Sequence, residues 1–228
     1  MGGPIRKPNA LRSGFVRPIR SVLLAATLVV GLGACMTGQR PTLSDPPLAG
    51  AAGESTGDAA ADAVLSLLER TDRPAFTAHF DTLLRLGNVA STAVVSADTT
   101  GRRSVTVGHV RFLVVGSSRT CDLPTGRCED GIQEARTSDI GFTSTLDAAA
   151  PARRLRVSLS RATGPTVGHT DTIADQSATC VDIPLGSTTE TYCALDAGII
   201  ARWDAPDVQL TLTSFDATVD EALFVGSN

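Results

Sequence analysis

The sequence predicts an α+β fold built on an antiparallel sheet, and three observations carry that expectation. Short runs with alternating apolar residues recur from Phe76 onward, each closed by a turn signal. One amphipathic stretch precedes these runs, and a second helical stretch interrupts them. Four cysteines fall as two couples, each flanking a turn-rich segment.

The elements follow in chain order. Residues 58–71 read as an amphipathic helix, with Ala60, Val64, Leu67 and Leu68 on one face and Asp62, Glu69 and Arg70 away from it. Pro74 stops it. From Phe76 the period becomes two: Phe76, Ala78, Phe80, Leu84 and Leu86 alternate with Thr77, His79, Asp81 and Arg85. Helical spacing also fits Phe76, Phe80, Leu83 and Leu84, so both readings stand at this point. Gly87-Asn88 turns the chain into a strand over 90–97, and 98–101 turns it again. Residues 102–107 and 110–115, rich in β-branched side chains, extend the meander. In the middle of the chain, 142–150 and 152–162 both suit helices, with Pro151 starting the second. A Gly/Pro/Thr loop follows, and His169-Thr170-Asp171 reads as part of a polar loop. Strands are then expected over 178–183, 191–195, 199–203 and 208–215, with Val219, Leu223 and Phe224 packing a last short segment onto the sheet.

The N-terminus reads as an export signal. Arg6, Lys7, Arg12, Arg17 and Arg20 come with no acidic residue, and an uncharged run from Ser21 to Ala34 leads to Cys35. That run is shorter than the roughly twenty residues a spanning helix needs. Leu32-Gly33-Ala34-Cys35 resembles the lipobox of bacterial lipoprotein precursors. The resemblance implies cleavage before Cys35 and a diacylglycerol on its thiol, enough acyl chain for a stable anchor. The expected organisation is a signal peptide at 1–34, a lipidated cysteine and flexible tether at 35–57, and a single domain at 58–228. The tether holds Pro41, Pro46 and Pro47 with no apolar periodicity, and as a coil spans on the order of 25 Å. The expected location is the outer face of the cytoplasmic membrane.

Charge and cysteine use narrow the function. The whole chain carries −4; losing the five cations of the signal leaves −9. Such a surface repels nucleic acid and anionic headgroups. Cys121, Cys128, Cys180 and Cys193 make an even set in an oxidising compartment. Local pairs, Cys121 with Cys128 and Cys180 with Cys193, are preferred among the three possible connectivities. Neither couple has zinc-knuckle spacing, so no metal is expected.

Catalytic patterns are missing. No G-x-S-x-G, P-loop, H-E-x-x-H or G-x-G-x-x-G occurs, and His79, His109 and His169 lie in three separate contexts. We therefore expect no enzyme and no cofactor. The basic stretch Arg153, Arg154, Arg156 and Arg161 stands out against the acidic background. It reads first as a solvated helix face pairing with acidic neighbours, and second as a docking patch for an acidic partner or phosphorylated headgroup.

An N-terminal helix followed by F-x-A-x-F (Phe76, Ala78, Phe80) opening a meander resembles the LolA/LppX-type lipoprotein superfamily. The run from Thr191 to Asp204 (TYCALDAGIIARWD) is similar to secreted actinobacterial proteins of this broad type. The resemblance implies an open half-barrel, a curved antiparallel sheet whose hollow is covered by the N-terminal helix and a central helical segment. Many members carry a lipid or acyl chain there. The expected function is thus a membrane-anchored lipoprotein binding an apolar ligand, with an interaction, scaffold or sensor-accessory lipoprotein of packed core as the alternative. Phe76, Phe80, Leu84 and Phe112 are the candidate lining residues; the protein partner stays open.

Overall fold

The computed structural model describes residues 52–225. Cys35, the segment before it and most of the tether lie outside those residues. Asp58 opens the first helix, α1 (Ala59–Leu68), by accepting the Ala61 N–H on its carboxylate at 2.9 Å. Ala61, Val64, Leu65 and Leu68 form its buried face. The helix stops three residues before the expected end, where Arg73 donates to the Leu68 carbonyl at 3.0 Å.

The chain then makes a six-stranded meander: β1 (Phe76–Leu84), β2 (Val89–Ala97), β3 (Arg103–Val107), β4 (Val110–Val115), β5 (Ser117–Asp122) and β6 (Arg127–Asp130). A long connection carries a 3-10 turn at Glu134–Thr137 and the second helix, α2 (Ala149–Leu159). A second meander follows: β7 (Val167–Ile173), β8 (Gln176–Leu185), β9 (Thr188–Leu195), β10 (Ile200–Asp204) and β11 (Val208–Asp216). The strands form one curved, open antiparallel sheet in the order β6-β5-β4-β3-β2-β1-β11-β10-β9-β8-β7. β1 and β11 join the two meanders at its centre.

Between the two periods open to residues 76–86, the strand wins because β1 is flanked on both sides. Phe76, Ala78, Phe80 and Leu84 stand opposite Ala97, Val95, Ala93 and Val89 of β2, while Phe80 and Leu84 also face Leu212 and Val208 of β11. The inner row continues through Val105 and Val107 to Phe112 and Val110. Phe76, Phe80 and Phe112 are all at most 1% exposed. Each contributes roughly 1.5–3 kcal/mol by leaving water.

Three local expectations are corrected. Residues 142–148 form turns rather than a helix, and only the second central helix exists, with Pro151 in its first turn. His169-Thr170-Asp171 is not loop but the middle of β7. β5 and β6 join the meander unannounced, because the sequences SSRTCD and RCED have too few apolar residues to alternate. All three strands lie at or next to an edge of the sheet, where one or both faces meet water and periodicity is weak.

The last segment wraps the outer face. Thr77 and Ser96 hydroxyls meet at 3.0 Å, and the Asp220 N–H donates to Thr77 Oγ1 at 2.9 Å. Phe224, on the 3-10 turn Glu221–Phe224, is nearly buried, with the Arg102 guanidinium 4.8 Å above its ring. This is the short packed segment expected from Val219, Leu223 and Phe224. Among the described residues, no helix is long and apolar enough to cross a membrane.

Candidate functional site

The hollow of a half-barrel is where a ligand would sit, so its contents decide what the fold can do. Here two covers fill it. Over the first meander lies the stretch between β6 and α2. Ile140, Phe142 and Leu146 are buried in the common core. Gly141 approaches so near that a Cβ there would lie 2.9 Å from Leu84 Cδ1. Over the second meander lie α1 and α2. The inner side of β7 is so close to α1 that a Cβ on Gly168 would stand 2.9 Å from Ala60 Cβ.

The irregular cover is held by polar side chains, since its backbone groups lack a regular ladder. Thr137 donates to the Phe142 carbonyl at 2.6 Å, and Glu134 accepts the Ser144 N–H at 2.8 Å. At its end sits Asp147, 1% exposed, paired with Arg103 of β3 and with Arg73 at 3.2 Å. The Asp147 carbonyl accepts the Ile200 N–H at 2.6 Å, tying the cover to β10. Burial pushes the Asp147 carboxyl up, but the Arg103 charge and hydrogen bonds together with Arg73 prevail and hold it below the usual carboxylate range.

The helical cover has its own buried carboxylate. Glu190 of β9, 1% exposed, accepts from Ser158 of α2 and from the Tyr192 hydroxyl at 2.8 Å, and Arg154 stands at 3.4 Å. Burial, then the Glu190 charge, pushes the Tyr192 phenol well above its ordinary range, so it stays a neutral donor. Ser158 is fully buried. Of the basic stretch, Arg154 bonds Asp207 at 2.9 Å and Arg156 bonds Glu69 at 2.8 Å and the Glu54 carbonyl at 2.9 Å. Those two arginines are partnered by acidic neighbours.

The four candidate lining residues are brought together, but as packing. Phe76, Phe80 and Phe112 belong to the core cluster and Leu84 packs against it. Two open depressions among the described residues lie elsewhere. One of about 500 Å³ is lined by Asp81, Leu83, Ala90, Thr92, Gln209 and Thr211, side chains on the outer face of β1, β2 and β11. Another, of about 810 Å³, lies at the end of the sheet among Arg70, Arg73, Pro74, Asp196 and Phe215. Their linings mix polar and apolar groups.

Cys121 is bonded to Cys128 and Cys180 to Cys193, each bridge linking directly opposed residues of a hairpin. His169 lies beside the second bridge, its possible ligand atoms within 4.8 Å of both sulfurs. Bonded to one another, those sulfurs offer no thiolate. Sequence reasoning missed the Asp147–Arg103–Arg73 and Glu190–Tyr192–Ser158 groups. Their members are separated by up to 74 positions in the chain, and no spacing rule joins them.

No family model matches the chain, and no curated protein does. Among solved structures, the crystal structure of MucB aligns at a TM-score of 0.44 with 13% identity, over 75% of this chain and 64% of that one. MucB in complex with MucA(peri) aligns at 0.41 with 15% identity, over 73% and 60%. LprF from Mycobacterium bovis aligns at 0.37 with 14% identity, over 71% and 94%. The chain thus spans less than two thirds of the MucB chains, and all three are distant likenesses.

Proposed function

We propose that this chain is an exported lipoprotein, anchored through lipid on Cys35 at the outer face of the cytoplasmic membrane, and that it works as a non-catalytic binding protein with a protein partner. One observation carries the choice of partner class: the hollow of the half-barrel is filled by the chain's own covers, with Phe76, Phe80 and Phe112 at most 1% exposed. A filled hollow leaves the outer face and the sheet edges as the surfaces open to a partner. The acidic balance and the absence of a nucleophile or metal motif support a role without chemistry.

A second reading, carriage of a lipid or acyl chain, is favoured by the chemistry of the seam between sheet and cover. Val64, Leu65, Leu68, Phe80, Phe112 and Ile183 make it apolar along its length. A cover that lifted would uncover an apolar trough of the kind acyl chains enter.

Native mass spectrometry of the purified mature protein separates the two. We expect no co-purified lipid, and Ala78→Trp should cost roughly 1–3 kcal/mol by overpacking. A bound acyl lipid, displaced by Ala78→Trp with stability held within about 1 kcal/mol, would overturn the packed reading. Anchoring is tested separately. Cys35→Ala should move the exported protein out of the membrane pellet, and recovery there at the wild-type level refutes the lipid anchor.

A further inference from the structure

The sheet is open, so it has two edges, and they are unlike. β6 is four residues long, three of them charged, and is clamped to β5 by the Cys121–Cys128 bridge. Charged, short edges resist pairing with another chain. β7 is seven residues long, Val167-Gly168-His169-Thr170-Asp171-Thr172-Ile173, with no lysine and no proline. Five of the seven are exposed, and among the described residues no strand pairs its outer side.

The backbone of β7 is arranged symmetrically for a partner. Its turn into β8 has two residues, Ala174 and Asp175, both at positive φ (49° and 58°), the signature of a type I′ hairpin. In such a hairpin the flanking pair, Ile173 and Gln176, is the first hydrogen-bonded pair. Ile173, Asp171, His169 and Val167 therefore direct their backbone groups to β8. Gly168, Thr170 and Thr172 direct theirs to the free edge. The Thr172 N–H agrees, since it is held by the Asp171 carboxylate at 2.8 Å instead of by β8.

We propose that this edge pairs with β7 of a second copy, antiparallel, about a two-fold axis through Thr170. In that register Thr170 faces its own copy, and Gly168 exchanges hydrogen bonds with Thr172. The pair next to the axis sets His169 opposite Asp171, where non-hydrogen-bonded partners come nearest. Val167, 58% exposed in the single chain, falls opposite Ile173. Every pair is either apolar with apolar, small with small, or basic with acidic, and no like charges meet. A register shifted by two residues would set Val167 against Asp171, so the sequence selects one alignment. Pairing exchanges the Asp171 cap on the Thr172 N–H for the Gly168 carbonyl of the partner copy and leaves the Arg202–Asp171 contact at 2.7 Å available. A single strand pair is a small interface, and confinement on one membrane would raise its effective concentration. The pairing itself does not rest on the anchor.

The experiment uses the full-length exported protein. Thr170→Cys places a thiol next to its own copy on the axis, so mild oxidation of membranes should give a disulfide-linked dimer. Thr172→Cys, two residues off the axis on each side, should not. On the purified mature protein, sedimentation should show a dimer that Thr170→Pro weakens by at least about tenfold, since the lost N–H faces the free edge and the β7–β8 ladder keeps its bonds. His169→Asp, which opposes two acids across the pair, should weaken it too. Equal cross-linking at 170 and 172, a dimer indifferent to both substitutions, or cross-linking of position 170 only to a different protein overturns the proposal.

Discussion

The two meanders share one sheet but are covered in different ways, and the contrast shows what each kind of cover requires. Over β1 to β4 the cover is irregular chain, and it is pinned by Thr137, Glu134 and the buried Asp147–Arg103–Arg73 group. Over β7 to β9 the cover is α1 and α2, whose backbones satisfy themselves and which dock through Ala61, Val64, Leu65, Leu68 and Leu155. Irregular chain that must be buried brings its unpaired backbone groups with it, and side chains have to satisfy them. A helix satisfies its own backbone, so the polar contacts of the second cover, Ser158 with Glu190 and Arg156 with Glu69, join side chains only. Both covers bury apolar side chains, and the first must also use polar side chains to satisfy its backbone.

The largest effect should come from breaking the ionic pin. Asp147→Ala leaves Arg103 and Arg73 without their counter-charge and should cost about 3–5 kcal/mol, read as a shift in the denaturant midpoint. The same group predicts a pH dependence. Asp147 has a folded pKa held below its unfolded value. Its contribution is therefore present in full above the unfolded carboxylate range and is lost as pH falls through the folded value. Midpoints measured downward from pH 6 should fall for the wild type, and less steeply for Asp147→Ala.

Next come the bridges, one in each meander. They are separated by 13 positions for Cys180–Cys193 and 7 for Cys121–Cys128. Paired serine substitutions should cost about 3 kcal/mol in the second meander and about 2.5 in the first from loop closure alone. Cys180 and Cys193 are both at most 1% exposed, so new hydroxyls there add a desolvation penalty that widens the gap. Equal losses would mean that the buried surroundings of the second bridge do not matter.

Gly168→Ala tests how closely the helical cover sits. The added methyl meets Ala60 and should cost roughly 1–3 kcal/mol, with α1 protecting its amides less well in hydrogen exchange. The smallest effect belongs to Leu86, 83% exposed on the β1–β2 turn. Leu86→Ser should stay within about 0.5 kcal/mol in the same denaturant titration.

Much of this fold was legible in advance, and the places where it was not share a cause. β1 to β4 and β8 to β11 announce themselves because each buries one face, and burial writes a period of two into the sequence. α1 was visible through its apolar stripe, while the Asp58 cap came only with the structure. β5, β6 and β7 sit at the two margins of the sheet with polar sequences, so nothing local marks them as strands. Residues 142–148 have helical composition, yet the short irregular path lets Asp147 reach Arg103 and Phe142 enter the core, and that tertiary gain overrides propensity. The candidate lining residues Phe76, Phe80, Leu84 and Phe112 lie on one inner face of the sheet. Whether that face meets a ligand or the chain's own cover is not a property of a strand's alternation.

The sequence by itself determined which faces are apolar, where most turns fall and which cysteines lie near one another, because these depend on side-chain pattern over a few residues. Only the tertiary structure decided what fills the hollow, which carboxylates are buried with which arginines, and that β7 ends the sheet with an unpaired side. Those outcomes depend on contacts between positions such as Arg73 and Asp147, or β1 and β11, far apart along the chain. Local pattern carries the cost of exposing a face to water, and it holds no information about which distant segment will cover it.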